Sequence, residues 1–428
     1  PTFNLLTSVM DDMRPENKYL HLMDEQEAIT KAQALLNRQG EVAVSPLAVY
    51  RHASKADSVQ QGRPNVVLIM MESMSSKLMK HFGQSETLTP FLDSLYTRSI
   101  SFRNFYSAGI HTNHGLYATL YSFPAMMKRN LMKGSVIPRY SGLPTVLKEN
   151  GYYNLFFMTH EGQYDNMNAF FRTNGYDEVF SQENYPADKV VNSFGVQDDF
   201  LYDYAIPVLN QRAATGEPFF ATLLSISNHP PYVIPPFFHP KTSEPEMQIV
   251  EYADWALRKF FEEARKQPWF DNTIFVLEGD HGKLVGDAEC ELPESYNHIP
   301  LMIYSSRIHP EEKNTFGGQV DIQPTILGLL NIDYLQNNFG VDLLKEERPC
   351  MFYTADNMIV GRNDTLLYLY NYETQQEFTY HIDNGKLKAV PMDDRFLPLK
   401  EYSFSMLQSA EFLVKHGKTV NTVPFTQQ

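Results

Sequence analysis

The sequence lacks any long run of apolar residues. The longest continuous run, Val66 to Met71, is far shorter than the roughly 20 residues that span a bilayer, so no transmembrane segment is predicted. No basic region followed by an apolar core stands near Pro1, so no signal peptide is predicted in this sequence. Because the chain begins without Met, we expect it to be a processed or excised part of a longer protein.

Cysteine and basic charge are also scarce. Cys290 and Cys350 are too few for a disulfide framework, and the sequence leaves open whether they pair. The formal net charge of -15 argues against nucleic-acid binding through a general basic field and against broad docking on anionic lipid. A hydrophobic fraction of 43% and a charged fraction of 20% are typical of a globular protein with an ample core.

The order of apolar segments predicts the domain organisation. Strand and helix patterns alternate over residues 64–345, which predicts an α/β domain with a doubly wound, mostly parallel sheet. Residues 1–63 are more polar and are expected to form an N-terminal helical strap or linker. Residues 346–428 contain short aromatic-rich strands with turn signals, and we expect them to form a small C-terminal antiparallel β-rich subdomain.

Metal-ligand residue types follow two of the predicted strands. Glu72 comes directly after the apolar run that ends at Met71, and Asp280-His281 follows the apolar segment Phe275–Leu277 between two glycines. In open α/β sheets, sites lie just beyond the carboxyl ends of the strands. Two carboxylates and one imidazole suit a divalent cation, with Mn²⁺ favoured and Mg²⁺ or Zn²⁺ as alternatives.

Two further residues stand at comparable positions. Thr112 lies where an apolar helix is predicted to begin, a place where free N–H groups favour an anion such as phosphate or an ionised hydroxyl. A threonine hydroxyl is a weak nucleophile unless a metal activates it. His229 follows another predicted strand and could hydrogen-bond a phosphate oxygen or a leaving group. Thr89 is expected to cap the helix that begins at Pro90.

Each of these residues also has a purely structural interpretation. Glu72 could mark only the point where a strand reaches solvent, and Thr112 could be only a helix cap. His229, next to two prolines, could be a turn residue stacked on Tyr232. The coincidence of all the candidates at one edge of the predicted sheet favours a site over these alternatives. Four other histidines are expected to be structural rather than metal ligands: His111, His114, His160 and His298.

Six segments together carry a resemblance to a known family. They are Asn65 to Ser73, Leu88 to Leu95, Ser227 to Tyr232, Gly279 to Gly282, His298 to Leu301 and Asp321 to Thr325. In this order they resemble the lipoteichoic acid synthase and phosphoglycerol transferase branch of the alkaline phosphatase/sulfatase superfamily. The resemblance covers residues 64 to 345.

The resemblance implies a metal-dependent transfer of phosphoglycerol from phosphatidylglycerol through a covalent phosphothreonine intermediate. It implies that Thr112 is the nucleophile and that Glu72, Thr112, Asp280 and His281 hold Mn²⁺. His229 would contact the phosphate or glycerol of the substrate.

The sequence departs from the family pattern in two places. The family has a Gly/Lys-Thr-Ser arrangement where this chain has His111-Thr112-Asn113. The basic and tryptophan residues that follow the next strand in the family are not recognisable in residues 160–166, where His160 or Glu161 would take over substrate binding.

The resemblance also implies partners and a location. The donor would be a phosphatidylglycerol-type lipid, and the acceptor a glycolipid, a growing polymer or a periplasmic glucan. The chain would be the soluble ectodomain of a membrane-anchored enzyme, on the extracytoplasmic face of a bacterial cell membrane in the periplasm or cell envelope. Membrane attachment would come from segments absent from this chain.

Neighbouring functions remain as alternatives. A sulfatase needs a Cys or Ser nucleophile in a Cys/Ser-x-Pro-x-Arg context, and neither Cys290 nor Cys350 stands in one. Phosphoethanolamine transferases carry many disulfides, which two cysteines cannot supply. Another phosphodiesterase of the superfamily, or a non-catalytic domain that binds a phospholipid headgroup, is the remaining alternative.

Overall fold

The computed structural model describes residues 19–36, 50–53, 63–134, 136–383 and 385–420. Within the predicted N-terminal strap it contains helix α1 (Glu25–Leu36) and strand β1 (Tyr50–Ala53). The other residues of the predicted strap before residue 63, apart from 19–24, lie outside the described part of the chain, as do residues 421–428.

An eight-stranded mixed sheet forms the centre of the fold. Its strands are β2 (Asn65–Met71), β3 (Ile100–Tyr106), β4 (Tyr153–Met158), β5 (Glu178–Phe180), β6 (Phe219–Leu224), β7 (Thr273–Gly279), β8 (Leu301–Tyr304) and β9 (Glu311–Gly318). Their order across the sheet is β5-β4-β6-β2-β7-β8-β3-β9. Strand β8 is antiparallel to both neighbours, and the remaining pairs are parallel. The prediction of a mostly parallel sheet is confirmed.

Strands β2 and β7 lie side by side in the middle of this sheet. Every residue of both strands is buried, as expected for strands covered on both faces. They are in parallel register, with Met71 opposite Gly279. The residues that follow, Glu72 and Asp280, therefore leave the same edge of the sheet next to each other.

Helices cover both faces of the sheet, which makes it doubly wound. They are α2 (Pro90–Tyr96), α3 (Thr112–Tyr121), α4 (Leu143–Glu149), α5 (Met167–Thr173), α6 (Asp198–Ala213), α7 (Pro245–Ala264) and α8 (Ile322–Leu329). Val67 and Ile69 of β2 share a core with α2, α6 and α7. Leu68 and Met70 share the opposite core with α3, α4, α5 and α8. Successive side chains of β2 point to opposite faces of the sheet, so this strand contributes to the cores on both faces.

Thr89 occupies the N-cap position of α2 as predicted, but its side chain accepts no capping hydrogen bond. Its hydroxyl donates to Asp93 instead, at 3.0 Å. The free N–H groups of Phe91 and Leu92 donate to the carboxylate of Asp254 on α7, at 2.9 and 2.8 Å. A carboxylate from a neighbouring helix therefore satisfies the amino terminus of α2 and complements its dipole.

A separate five-stranded antiparallel sheet follows in the C-terminal part, as predicted. Its strands, in chain order, are β11 (Met351–Thr354), β12 (Met358–Arg362), β13 (Leu366–Asn371), β14 (Gln376–Asp383) and β15 (Lys386–Ala389). Helix α9 (Leu397–Lys415) follows it and contacts α1. Strand β10 (Tyr334–Asn337) pairs with β1 outside both sheets.

Several ion pairs join this C-terminal part to the main domain, among them those of Arg348 and Arg362. Arg348 donates from Nε to Asp321 Oδ2 at 2.9 Å, and both side chains are almost completely buried. Arg362 of β12 pairs with Glu294, which lies in the loop region after β7. Both cysteines, Cys290 and Cys350, are free. Among the described residues, no helix is long and apolar enough to cross a membrane.

Candidate metal and phosphoryl-transfer site

Three of the predicted ligands come together at the carboxyl edge of the sheet. The Nε2 atom of His281 lies 3.7 Å from Oε1 of Glu72 and 3.6 Å from Oδ2 of Asp280. One ligand atom from each residue lies within 4.8 Å of those of the other two. Both carboxylates are buried, whereas the His281 side chain is 13% exposed. The cluster is therefore open to solvent on the imidazole side.

The turn after β2 holds the two carboxylates in place. Ser73 adopts a positive φ of 51°, which is unusual for a residue other than glycine. Its N–H donates to Asp280 Oδ1 at 2.8 Å and its hydroxyl donates to Glu72 Oε1 at 2.7 Å. The N–H of Glu72 in turn donates to Ser225 Oγ at 3.0 Å. The bent backbone at Ser73 thus connects both acidic side chains.

The orientation of His281 exposes one particular ring nitrogen. Its Nδ1 atom lies 2.7 Å from the carbonyl oxygen of Gly282, so Nδ1 carries the proton in the neutral ring and Nε2 presents its lone pair to the carboxylates. The backbone at Gly282 passes very close to its neighbours, because a Cβ there would lie 2.0 Å from the carbonyl oxygen of Ser295. Glycine is required at this position by close packing.

Two buried carboxylates lie close together in this cluster, and the described groups that hydrogen-bond to them do not neutralise their charge. Burial, and then the nearby carboxylate of Asp280, raise the pKa of Glu72 well above its ordinary value. The Oδ2 atom of Asp280 is buried and has no hydrogen-bond partner among the described residues. A divalent cation would fit this donor set, because it would neutralise both carboxylates and satisfy the orphaned oxygen.

Thr112 lies next to this cluster as the first residue of α3. Its Oγ1 atom is 3.5 Å from Oε2 of Glu72, and the side chain is half-buried. The first turn of α3 packs directly on the cluster, since a Cβ at Gly115 would lie 2.3 Å from the carbonyl oxygen of Asp280. The hydroxyl therefore stands at the positive end of a 10-residue helix and beside the candidate cation ligands.

His229 lies on the loop after β6, at the same edge of the sheet. This loop is tied to α6, because Asp198 accepts hydrogen bonds from the N–H groups of Ile226 and Ser227, at 2.8 and 3.0 Å. The His229 side chain is half-buried, with Nδ1 2.6 Å from the carbonyl oxygen of Pro230. Its ring contacts Phe194 with centroids 4.1 Å apart.

His160 and Glu161 follow β4 at this edge. His160 is buried, and its ring contacts the Tyr164 ring with centroids 4.6 Å apart and planes tilted by 45°. Its Nδ1 lies 3.2 Å from the Glu161 carbonyl oxygen. Burial lowers the pKa of His160, although the hydrogen bond to the Glu161 carbonyl and then the charges of Asp165 and Glu183 oppose this effect. The Glu161 carboxylate is exposed and makes no hydrogen bond or ion pair among the described residues. His160 thus lies in the wall of the site region, whereas Glu161 faces solvent.

The two histidines around Thr112 differ from each other. His111 is exposed, and its Nε2 lies 2.7 Å from Asp356 of the loop between β11 and β12. This hydrogen bond raises the pKa of His111. His114 is buried with neither ring nitrogen hydrogen-bonded among the described residues, and burial lowers its pKa to about 3. Neither belongs to the carboxylate–imidazole cluster.

Sequence reasoning did not single out Lys283 and Asn228. Lys283 Nζ donates to Asn228 Oδ1 at 2.7 Å and lies 5.3 Å from the centre of the Tyr232 ring. Burial lowers the pKa of Lys283 to about 8, while Glu246 and Glu72 raise it. The sequence offered one signal for Lys283, which is its position directly after Asp280-His281-Gly282. The pairing with Asn228, 55 residues earlier, was not visible in the sequence.

Known proteins are similar to this chain in sequence. The sequence model described as Sulfatase matches residues 64–332. Lipoteichoic acid synthase 2 of Bacillus subtilis is 24% identical over 66% of this chain and 47% of its own length. Lipoteichoic acid synthase of Staphylococcus saprophyticus is 24% identical over 67% of this chain and 48% of its own length. The chain thus spans about half the length of these curated relatives.

Solved structures extend the likeness over most of the chain. A protein of the alkaline phosphatase superfamily from Vibrio parahaemolyticus superposes with a TM-score of 0.82 and 25% identity, covering 94% of this chain and 98% of its own. The lipoteichoic acid synthase LtaP from Listeria monocytogenes gives a TM-score of 0.71 at 21% identity, covering 82% and 92%. With the sequence model matched over more than half of its residues, this chain belongs to the sulfatase family, and lipoteichoic acid synthases are among its relatives.

Proposed function

We propose that this chain is a metal-dependent phosphoglycerol transferase that acts on phosphatidylglycerol-type phosphodiesters through a covalent intermediate on Thr112. One observation carries the proposal: the Thr112 hydroxyl lies 3.5 Å from Glu72, beside the Glu72–Asp280–His281 cluster and at a helix amino terminus. The similarity to lipoteichoic acid synthases supports the choice of the transferred group.

Glu72, Asp280, His281 and Thr112 would hold the cation, with Mn²⁺ as the proposed ion and Mg²⁺ or Zn²⁺ as alternatives. When bound, the cation would supply Lewis-acid stabilisation of negative charge on oxygen. The donor set of carboxylate oxygens, a hydroxyl and one imidazole suits these hard or borderline ions. The buried, unpartnered Oδ2 of Asp280 supports this assignment.

The proposed reaction has two displacement steps at phosphorus. In the first step, Thr112 Oγ1 forms a bond to phosphorus, the bond from phosphorus to the diacylglycerol oxygen breaks, and the proton lost by Thr112 is balanced by protonation of that oxygen. In the second step, an acceptor hydroxyl loses its proton and bonds to phosphorus, and Thr112 leaves and regains a proton. The N–H groups at the start of α3 favour the negative charge that develops near Thr112.

His229 is the proposed contact to the phosphate or to the leaving oxygen. Its Nδ1 faces the Pro230 carbonyl, so Nε2 is the ring nitrogen available to the substrate. His160 and Glu161 are proposed as further substrate-binding residues. His160 is the better placed of these two, because its ring is buried in the wall of the site region and interacts electrostatically with His229.

The proposed donor and acceptor are a phosphatidylglycerol-type lipid and a glycolipid, polymer or glucan hydroxyl. Such a reaction would take place at the extracytoplasmic face of a bacterial membrane, in the periplasm or at the cell surface. The similarity to lipoteichoic acid synthases is what supports these partners and this location.

The test is cleavage of phosphatidylglycerol and of a chromogenic glycerophosphodiester by the purified chain with Mn²⁺. Thr112→Ala is expected to lose turnover while it keeps the circular dichroism spectrum and Mn²⁺-free melting temperature of the wild type. Thr97→Ala, at an exposed threonine next to α2, is the matched control and should be fully active. Normal turnover by Thr112→Ala would show that the nucleophile is another residue.

A further inference from the structure

We propose that Lys283 is a substrate-binding residue that holds the phosphate of the transferred group. This inference rests on the proposed function and adds a cationic ligand for the phosphodiester. Lys283 follows His281 by two residues and lies on the loop that leaves β7, so the same segment that delivers the candidate cation ligands also delivers an ammonium group.

The hydrogen bonds around Lys283 place its ammonium group at the site. Nζ donates to Asn228 Oδ1 at 2.7 Å. The amide nitrogen of Asn228 donates to the carbonyl oxygens of Glu72 and Ser73, at 3.2 and 3.1 Å. One buried amide therefore links the ammonium group to the turn that carries Glu72.

The charge of Lys283 is available to a ligand. Its hydrogen-bond partner is a neutral amide, and Lys283 forms no ion pair among the described residues. The Tyr232 ring lies 5.3 Å from Nζ, which favours a cation without neutralising it. By contrast, the ammonium group of Lys133 forms an ion pair with the carboxylate of Asp165, at 3.1 Å. An ammonium group has three donors, of which Asn228 takes one.

The charge balance of the reaction favours such a group. The carboxylates of Glu72 and Asp280 would cancel the charge of a divalent cation, so the Thr112 alkoxide and the phosphodiester would leave an excess of negative charge, which the partial charges at the start of α3 offset only in part. Clamps of lysine or arginine on the transferred phosphoryl group commonly supply this stabilisation. Asn228 joins Lys283 Nζ to the turn that carries Glu72, so the ammonium group lies close enough to act on this charge.

The sequence of the neighbouring loop supports the same assignment. Basic residues expected after β4 from the family resemblance are missing from residues 160–166, where Glu161 and Asp165 are acidic. The loop after β7 supplies a lysine instead. The basic residue that would bind the phosphate therefore follows β7 in this chain instead of β4.

The test measures binding of sn-glycerol 3-phosphate by calorimetry in the presence of Mn²⁺, together with kcat and KM for a glycerophosphodiester. Lys283→Met is expected to weaken glycerol-phosphate binding by about tenfold to one-hundredfold, the range for a charge-assisted hydrogen bond. Lys283→Gln, which keeps a donor for Asn228 without the charge, should show a similar loss. Lys283→Arg should restore part of the affinity.

The matched control is Lys266→Met, at an exposed lysine just after α7 and before β7, at the opposite edge of the sheet. It should bind glycerol phosphate as the wild type does. Equal Mn²⁺ affinity in all variants would show that a loss of glycerol-phosphate binding does not come from damage to the cation ligands.

Two results distinguish this inference from the proposed function. If the wild type cleaves the diester while Lys283→Met and Lys283→Gln bind glycerol phosphate with wild-type affinity, Lys283 is not a phosphate ligand and the transferase proposal stands. If glycerol phosphate binds in a Lys283-dependent manner but the wild type cleaves no diester, the phosphate site stands and the transferase proposal fails.

Discussion

The hydroxyl of Thr112 lies 3.5 Å from the buried carboxylate of Glu72, although 40 residues separate them in the chain. Glu72 follows a central strand of the sheet, and Thr112 begins the helix after β3, near the other side of the sheet. Parallel strands bring both residues to one edge. The proposed nucleophile and a proposed cation ligand therefore lie side by side.

Glu72→Gln is expected to abolish Mn²⁺ binding and yet to stabilise the cation-free protein at neutral pH. The pKa of Glu72 is raised in the fold, so the folded state favours the protonated carboxyl. The free energy of unfolding therefore falls as pH rises from the ordinary carboxyl pKa towards the raised one. Neutral glutamine removes this penalty, so the variant should unfold at a higher urea concentration than the wild type.

Urea unfolding in EDTA at several pH values, paired with calorimetric titration of Mn²⁺, checks this expectation. Glu262→Gln, on the exposed face of α7, is the control and should change neither quantity. Two results would contradict the assignment of Glu72 as a buried cation ligand. One is a Glu72→Gln protein that is less stable than the wild type in EDTA, and the other is a variant that binds Mn²⁺ normally.

Arg348 is expected to be essential for the attachment of the C-terminal part. Its guanidinium group is buried against Asp321, and Asp321 also accepts the N–H groups of Gly318 and Val341. Arg348→Ala leaves a buried carboxylate unpaired, which should cost about 3–5 kcal/mol. Chemical denaturation measures this loss.

Arg395→Ala is the matched control for Arg348→Ala. Arg395 forms an ion pair with Asp393 at 2.7 Å, but both side chains are largely exposed. Exposed pairs contribute about 0–1 kcal/mol, so this variant should be close to wild type. Equal effects of the two substitutions would refute the claim that burial makes the Arg348 pair important.

Glu294 is expected to give the protein an acid-sensitive component of stability. Burial raises the pKa of Glu294, but Arg362 and His298 outweigh burial and bring the pKa to about 2. The folded pKa is therefore depressed, so its stabilisation is present above the ordinary carboxyl pKa and is lost as pH falls from there towards 2. Glu294→Gln should flatten this part of the pH–stability curve.

This pair should also influence activity. The backbone next to Glu294 supports the loop of His281, because Gly282 N–H donates to the Tyr296 carbonyl at 2.8 Å. Arg362→Met is therefore expected to lower both Mn²⁺ affinity and kcat, by a few-fold each. Unchanged Mn²⁺ affinity in Arg362→Met, with the same acid denaturation profile as wild type, would show that the contact has no supporting role.

The sequence was sufficient to locate the central strands and the residues at their ends. Continuous apolar runs such as Val66–Met71 can be buried on both faces only in a covered sheet, and the residues after them must leave at its edge. Glu72, Asp280 and His281 therefore could be predicted to meet. Thr112 joined them because an apolar helix beginning after β3 had to start at the same edge.

Interactions between distant segments could not be predicted in this way. Asp254 accepts the free N–H groups of α2 from 163 residues away, although the local signal correctly placed Thr89 at the N-cap position. The apolar residues 299–304 predict a strand, but nothing in their composition reveals that β8 runs antiparallel to its neighbours. Strand β12, which carries Arg362, and helix α9 were not predicted, since their burial depends on packing against other elements.

The most direct test of the account is the mass of the Thr112-containing peptide after reaction. The chain is incubated with Mn²⁺ and phosphatidylglycerol without an acceptor, quenched in acid and digested. The account predicts that this peptide gains the mass of one phosphoglycerol unit, and that Thr112→Ala and Asp280→Asn gain none. Turnover with the label on another residue, or turnover without any covalent label even under rapid quenching, would contradict the assignment of Thr112 as the nucleophile.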